Sequence, residues 1–133
     1  MRYLLDTCTL YWFLHQHDEQ LTARAIAEIE NADNELFVSV VSIWEMAIKS
    51  RLGKLEVVPN VGDALLRRLR QFGFQILDVK YSHASEDYQM PTLKHRDPFD
   101  RLLIAQARVE GLTVITNDPN WSHPDYALDV LWK

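Results

Sequence analysis

The run Asp97-Pro98-Phe99-Asp100-Arg101-Leu102-Leu103-Ile104-Ala105-Gln106-Ala107 leaves a folding chain few choices. Asp97 can cap a helix, Pro98 suits the first helical position where its missing N–H costs nothing, and Asp100 sets a negative charge against the helix N-terminus. Beyond them Leu102, Leu103, Ile104, Ala105 and Ala107 leave little polar surface before a stop at Gly111, so this helix must be packed on most of its circumference. A helix of that kind belongs inside a layered fold. Capping accounts for both acids locally; their interest comes from other single acids that recur at predicted strand ends and early in helices.

The chain supports such layers. With 133 residues, 47% of them hydrophobic, it is expected to form one domain over 1–133 with a core that needs no metal or disulfide staple. A formal charge of −5 argues against broad attraction to nucleic acid or anionic membrane and leaves room for a local basic patch. Cys8 is the single cysteine, which excludes an internal disulfide and fits a reducing compartment. No apolar run approaches the roughly 18 residues of a membrane span, and Asp6 interrupts the N-terminal segment too early for a secretory signal. A cytoplasmic protein with no membrane partner is expected.

Along the chain, apolar runs alternate with helical patterns. Tyr3, Leu4 and Leu5 read as a buried strand ending at Asp6, which precedes a helix through Leu14; Thr22 opens a second helix with Ala25, Ile26 and Ile29 on one face. Residues 36–41 are β-branched and apolar enough for a second strand, after which Ser42 is expected to cap a helix from Ile43 to Leu52 that carries Glu45. A helix from Val61 to about Phe72, a strand from Phe74 to Val79 and a short helix from Ser82 to Gln89 follow. Leu112 to Thr116 is a further strand, broken by Asn117-Asp118-Pro119, and a last short one lies near 128–131. The alternation predicts an α/β three-layer sandwich with a central, mostly parallel sheet flanked by helices.

In an open parallel sheet, chemistry gathers beyond the C-terminal strand ends, which is where Asp6 and Asp118 fall. Glu45 and Asp100 can share that edge. Four carboxylates packed together repel, so a divalent cation is the simplest neutralising partner, and an oxygen-only donor set favours Mg²⁺ or Mn²⁺ over zinc. Such an ion can lower the pKa of a bound water and polarise a phosphodiester, which makes hydrolysis by in-line attack the expected chemistry. Each acid also has a structural explanation, as a turn residue for Asp6 and Asp118 and as an i,i+4 ion pair with Lys49 for Glu45.

Leu4-Leu5-Asp6-Thr7, Ser42-Ile43-Trp44-Glu45-Met46-Ala47-Ile48-Lys49, residues 97–107 and Thr116-Asn117-Asp118, in that order and at those spacings, resemble the PIN-domain nucleases. The resemblance is greatest to VapC-like toxins of bacterial and archaeal toxin–antitoxin pairs and covers nearly the whole chain. It implies a metal-dependent endoribonuclease in which Asp6, Glu45, Asp100 and Asp118 bind Mg²⁺ or Mn²⁺ and cut RNA. Asp97 matches the motif yet fits a cap equally well and is held as accessory. Thr7, Thr116 and Asn117 correspond to polar positions that help to hold the metal or its ligands. The resemblance also implies a homodimer restrained by a VapB-like antitoxin.

Lys49, Arg51, Lys54, Arg96 and Arg101 lie near these segments and are the expected RNA contacts, with Arg67, Arg68 and Arg70 as the alternative patch. Trp12, Phe13 and Trp44 are candidates for an apolar groove receiving an antitoxin helix. Cys8 is expected to be a small buried thiol without a catalytic role, and His15 and His17 to be solvent-exposed residues at a helix end. Two rivals remain: a phosphoacceptor receiver domain, with Asp78 as its third-strand aspartate, and a non-catalytic PIN-like RNA-binding module. A receiver calls for an acidic pair after the first strand, where Asp6 stands alone.

Overall fold

The computed structural model describes residues 1–57, 60–92 and 97–133. Strands β1 (Arg2–Leu5), β2 (Glu35–Ser39), β3 (Gln75–Leu77), β4 (Thr113–Ile115) and β5 (Val130–Leu131) form one sheet in the order β3-β2-β1-β4-β5. Every pairing is parallel. Among the described residues six α-helices join them: α1 (Thr7–Leu14), α2 (Ala23–Glu30), α3 (Val40–Arg51), α4 (Asp63–Gln71), α5 (Tyr81–Gln89) and α6 (Pro98–Glu110).

Side chains alternate along each strand, so the sheet separates two apolar layers. Tyr3, Leu5, Leu36, Val38 and Ile115 face one layer, together with Leu10 and Leu14 of α1, Ala25 and Ile29 of α2, and Leu65 and Leu69 of α4. Leu4 and Val114 face the other, with Leu103, Ile104 and Ala107 of α6 and the buried Trp121 and Tyr126. Helix α3 gives Met46 to the first layer and Val41 to the second. This is the expected three-layer arrangement, with the sheet wholly parallel. Among the described residues no helix is long and apolar enough to cross a membrane.

The helix around which the sequence was read forms as expected: Asp97 accepts from the Phe99 N–H at 2.8 Å, Pro98 occupies the first turn, and Gly111 closes the helix at φ +67°, in the left-handed region that suits glycine. The second strand is shorter than expected. Ser39 Oγ accepts from the Val41 N–H at 3.0 Å, so Ser39 rather than Ser42 caps α3 and the two valines become its first turn. Ser42 is buried inside α3, where its oxygen accepts the Thr7 hydroxyl at 3.0 Å.

Candidate active site

Strands β1, β2 and β3 are laid outward to one side, and the chain then returns to place β4 and β5 on the other. Neighbours β1 and β4 are therefore left by connections that run in opposite directions, and a parallel sheet opens a crevice at such a point. Asp6 follows β1 directly, and Asp118 comes three residues after β4.

Asp6 is buried and caps α1, its Oδ1 accepting from the Thr9 N–H at 2.9 Å and its Oδ2 from Thr116 Oγ1 at 2.6 Å. Thr116 Oγ1 also accepts from the Asp118 N–H at 3.1 Å, so one hydroxyl ties the two strand-end acids together. Burial raises the Asp6 carboxyl above its ordinary range; the Thr116 and Thr9 hydrogen bonds oppose this, and the Asp118 charge adds to it. Asp118 caps a short 3₁₀ turn by accepting from the Asn120 N–H at 3.0 Å, so it is a turn residue as well as a member of the cluster.

Glu45 is buried on α3. Lys49, one turn later, donates to its Oε2 at 2.8 Å, and this bond raises the lysine pKa. Glu45 Oε1 is buried without a hydrogen-bond partner among the described residues. Asp100, half-buried in the first turn of α6, is pushed up to about 7, chiefly by burial and then by the charges of Asp97, Glu45, Asp6 and Asp118. A single carboxyl group thus feels the other four acids named from the sequence, which places them in one electrostatic field. Asp97 is exposed and serves as the helix cap.

Among the described residues no group of three or more His, Cys, Asp or Glu side chains stands ready to hold a metal ion. Three of the four acids rest on local partners instead: Asp6 on Thr9 and Thr116, Glu45 on Lys49, Asp118 on Asn120. The donor chemistry nevertheless fits a hard divalent cation. The groups are all oxygens, one buried carboxylate oxygen lacks a partner, and Asp100 is short of positive charge.

Two expectations about neighbouring residues are overturned. Cys8 is exposed, because its place on α1 turns it out of the core beside the acids; desolvation, followed by Asp6 and Glu45, pushes its thiol up to about 11. His15 and His17 are half-buried rather than exposed, with their rings packed on Tyr11 at 4.1 and 5.9 Å.

The expected RNA contacts divide. Lys49 is engaged with Glu45, while Arg51 and Lys54 are exposed at the end of α3 and just beyond it. Arg101 is turned to structural use: it bonds Asp87 Oδ1 at 2.6 Å and the Pro91 carbonyl at 3.0 Å, holding the end of α5 against α6. Arg96 lies outside the described residues. On α4, Arg67 and Arg70 are exposed, whereas Arg68 donates to the Leu14 carbonyl. Thr7 and Thr116 are bonded within the site, and Asn117 is exposed beside it.

The three aromatics expected to share a groove do not. Trp12 packs near Trp132, and Phe13 packs on Phe72 and Phe74. Only Trp44, 60% exposed and edge-on to Phe99 at 5.2 Å, borders the apolar groove of about 810 Å³ between α3, α4 and β3. Sequence reasoning passed over Ser39 and Gln106, both fully buried polar residues, and gave Ser42 the cap that Ser39 supplies. Gln106 carried a signal, as the one polar side chain within residues 102–107.

The PIN domain family model matches residues 3–125. The chain belongs to the PIN domain family. Solved structures similar to this PIN chain include VapBC2 from Rickettsia felis bound to a DNA fragment from their promoter, 18% identical over 100% of both chains with a TM-score of 0.73. DNA-bound VapBC from Salmonella typhimurium is 16% identical, covers 98% of this chain and 97% of its own, and gives a TM-score of 0.69. FitAcB from Neisseria gonorrhoeae is 21% identical over 97% and 96% of the two chains, with a TM-score of 0.62. At these identities the likeness is one of fold. No curated protein matches the chain. A receiver domain is excluded on position as well as family: Asp78 follows β3, an edge strand of the PIN sheet, and its carbonyl accepts from Gln106 at 3.2 Å.

Proposed function

We propose that this PIN chain is a divalent-metal-dependent endoribonuclease, the toxin of a toxin–antitoxin pair, acting in the cytoplasm as one domain over residues 1–133. What supports the reading most is the Thr116 hydroxyl that ties Asp6 to Asp118 at the switch point of a PIN sheet, together with the Asp100 carboxyl raised by burial and then by Asp97, Glu45, Asp6 and Asp118. Mg²⁺ or Mn²⁺, when bound, supplies a water of lowered pKa and polarises the phosphodiester. Asp6, Glu45, Asp100 and Asp118 would hold it. Thr116 keeps Asp6 and Asp118 in register, Thr9 fixes the other Asp6 oxygen, and Glu45 Oε1 is the oxygen left for a ligand. Arg51 and Lys54, exposed at the end of α3 and just beyond it, give the substrate backbone a short cationic edge on an otherwise acidic chain.

The purified chain should degrade RNA with Mg²⁺ or Mn²⁺, stop with a chelator, and lose activity on Asp6→Asn. A folded Asp6→Asn variant as active as the parent takes Asp6 out of the site, and a wild-type chain that binds RNA without cutting it under these conditions rejects the reading in favour of a non-catalytic RNA-binding module. The partner is a VapB-like antitoxin, with the toxin as a homodimer; this draws on the likeness to the VapBC and FitAcB structures and on the groove beside Trp44. Co-expression with an adjacent antitoxin gene should yield a complex and relieve toxicity. Failure of both removes the partner assignment and leaves the nuclease assignment standing.

A further inference from the structure

Gln106 lies in the middle of α6, fully buried in a stretch otherwise apolar. An amide there costs several kcal/mol unless its hydrogen bonds are made. Both ends are satisfied across elements. Ser39 Oγ donates to Gln106 Oε1 at 2.6 Å, and Gln106 Nε2 donates to the Asp78 carbonyl at 3.2 Å. The Ser39 oxygen also accepts from the Val41 N–H at 3.0 Å, so its single proton is committed to Gln106 while its lone pair caps α3.

His83 of α5, fully buried, extends the network. Its Nδ1 accepts from the Lys80 N–H at 3.0 Å and lies 3.4 Å from Gln106 Nε2, while Nε2 meets Glu110 Oε2 at 3.0 Å. That leaves Nε2 to carry the ring proton toward Glu110, whose carboxyl is lowered by the bond. Every polar side-chain atom of Ser39, Gln106 and His83 is thus engaged, and exchanging any of these residues leaves a neighbour unpaired.

The two residues joined by the 2.6 Å bond stand at matched places. Ser39 precedes Glu45 by six residues along α3, and Gln106 follows Asp100 by six along α6. Beside the acids themselves the two helices meet through Trp44 and Phe99, an edge-to-face pair that tolerates sliding. A directional contact sets the slide more sharply than apolar packing does, and Ser39–Gln106 supplies one. We propose that Gln106 is a positioning residue for the acidic site, fixing through Ser39 the helix that carries Glu45 against the helix that carries Asp100.

This rests on the metal-site reading above, and the experiment separates the two. Mn²⁺ dissociation constants are measured by calorimetry on chelator-stripped, folded wild-type protein and on Asp100→Asn, Gln106→Met, Ser39→Ala and Ile104→Val. Ile104→Val loosens α6 in the core without touching the network and controls for stability. Gln106→Met, of similar shape but unable to accept from Ser39, should weaken Mn²⁺ binding about tenfold or more, the scale seen for residues that orient ligands. Ile104→Val should leave the constant unchanged. If Gln106→Met does not fold, Ser39→Ala, which breaks the same bond from the other side, decides by the same criterion. A constant within twofold of wild type in the folded variant, alongside a lost site in Asp100→Asn, makes Gln106 merely structural and overturns the proposal alone. No Mn²⁺ binding by wild type, or none lost in Asp100→Asn, overturns the metal-site reading and the proposal with it.

Discussion

Asp100 offers the sharpest energetic test of the acidic cluster. Its carboxyl is raised from 3.8 to about 7, so the folded, metal-free protein holds the acid form through a pH range in which the unfolded chain releases the proton. An acid raised on folding contributes fully below its unfolded value, and the contribution is lost as pH rises through the folded value. The metal-free protein should therefore lose stability between about pH 4 and pH 7. At full strength the difference corresponds to about 4 kcal/mol; Asp100 is only half-buried, and solvent screening reduces this to roughly 2 kcal/mol. Asp100→Asn removes the titration. In thermal melts with chelator present, the variant and wild type should have similar midpoints near pH 4 and separate as pH rises, the variant ending roughly 6–10 °C higher at pH 8. A gap that stays constant across the range would show that the Asp100 carboxyl is not raised in the folded protein.

Thr116→Val takes the 2.6 Å donor from buried Asp6 and the acceptor from the Asp118 N–H, and should cost about 2 kcal/mol in urea unfolding at neutral pH; a cost below about 0.5 kcal/mol would dismiss the hydroxyl as a tie between these acids. Lys49→Met leaves buried Glu45 without its cation, so the metal-free protein should melt lower and gain more from added Mn²⁺ than wild type does; an equal gain would show that Lys49 and the ion do not compete for Glu45. Gly111→Ala puts a side chain at φ +67° and should cost about 1 kcal/mol of unfolding free energy in denaturant titration, with no effect on Mn²⁺ binding. Removing the charges of Arg51 and Lys54 together should weaken RNA binding and flatten its salt dependence; an unchanged slope would take the substrate off this edge.

The strand–helix alternation, the cap at Asp97 and the stop at Gly111 were legible because each depends on neighbours in sequence. The same holds for the acids at strand ends. Features set by distant partners were not legible. Val40 and Val41 have strand-like side chains, yet Ser39 turns them into a helix because its hydroxyl is fixed from α6 by a residue 67 positions away. Arg101 sits one residue from Asp100 but spends its charge on Asp87, a choice made by the packing of α5 on α6. Cys8, two residues from a buried aspartate, falls on the outer side of α1. The strand order had no local signature either, and it is that order which brings Asp118 back beside Asp6.

The bond between Thr116 and Asp6 spans 110 residues, and β4, which precedes Thr116, is the neighbour that β1 lacks on one side until then. A ribosome making this chain releases Asp6, Glu45 and Asp100 in turn, long before it supplies the hydroxyl that orients the first of them or the aspartate that completes the set. Fragments cut short before residue 113 hold three of the acids but have no crevice to hold them in. On the nuclease reading proposed above, a copy that stops before β4 has neither the hydroxyl nor the fourth acid, so the acidic site is assembled only once residues 113–118 have joined β1.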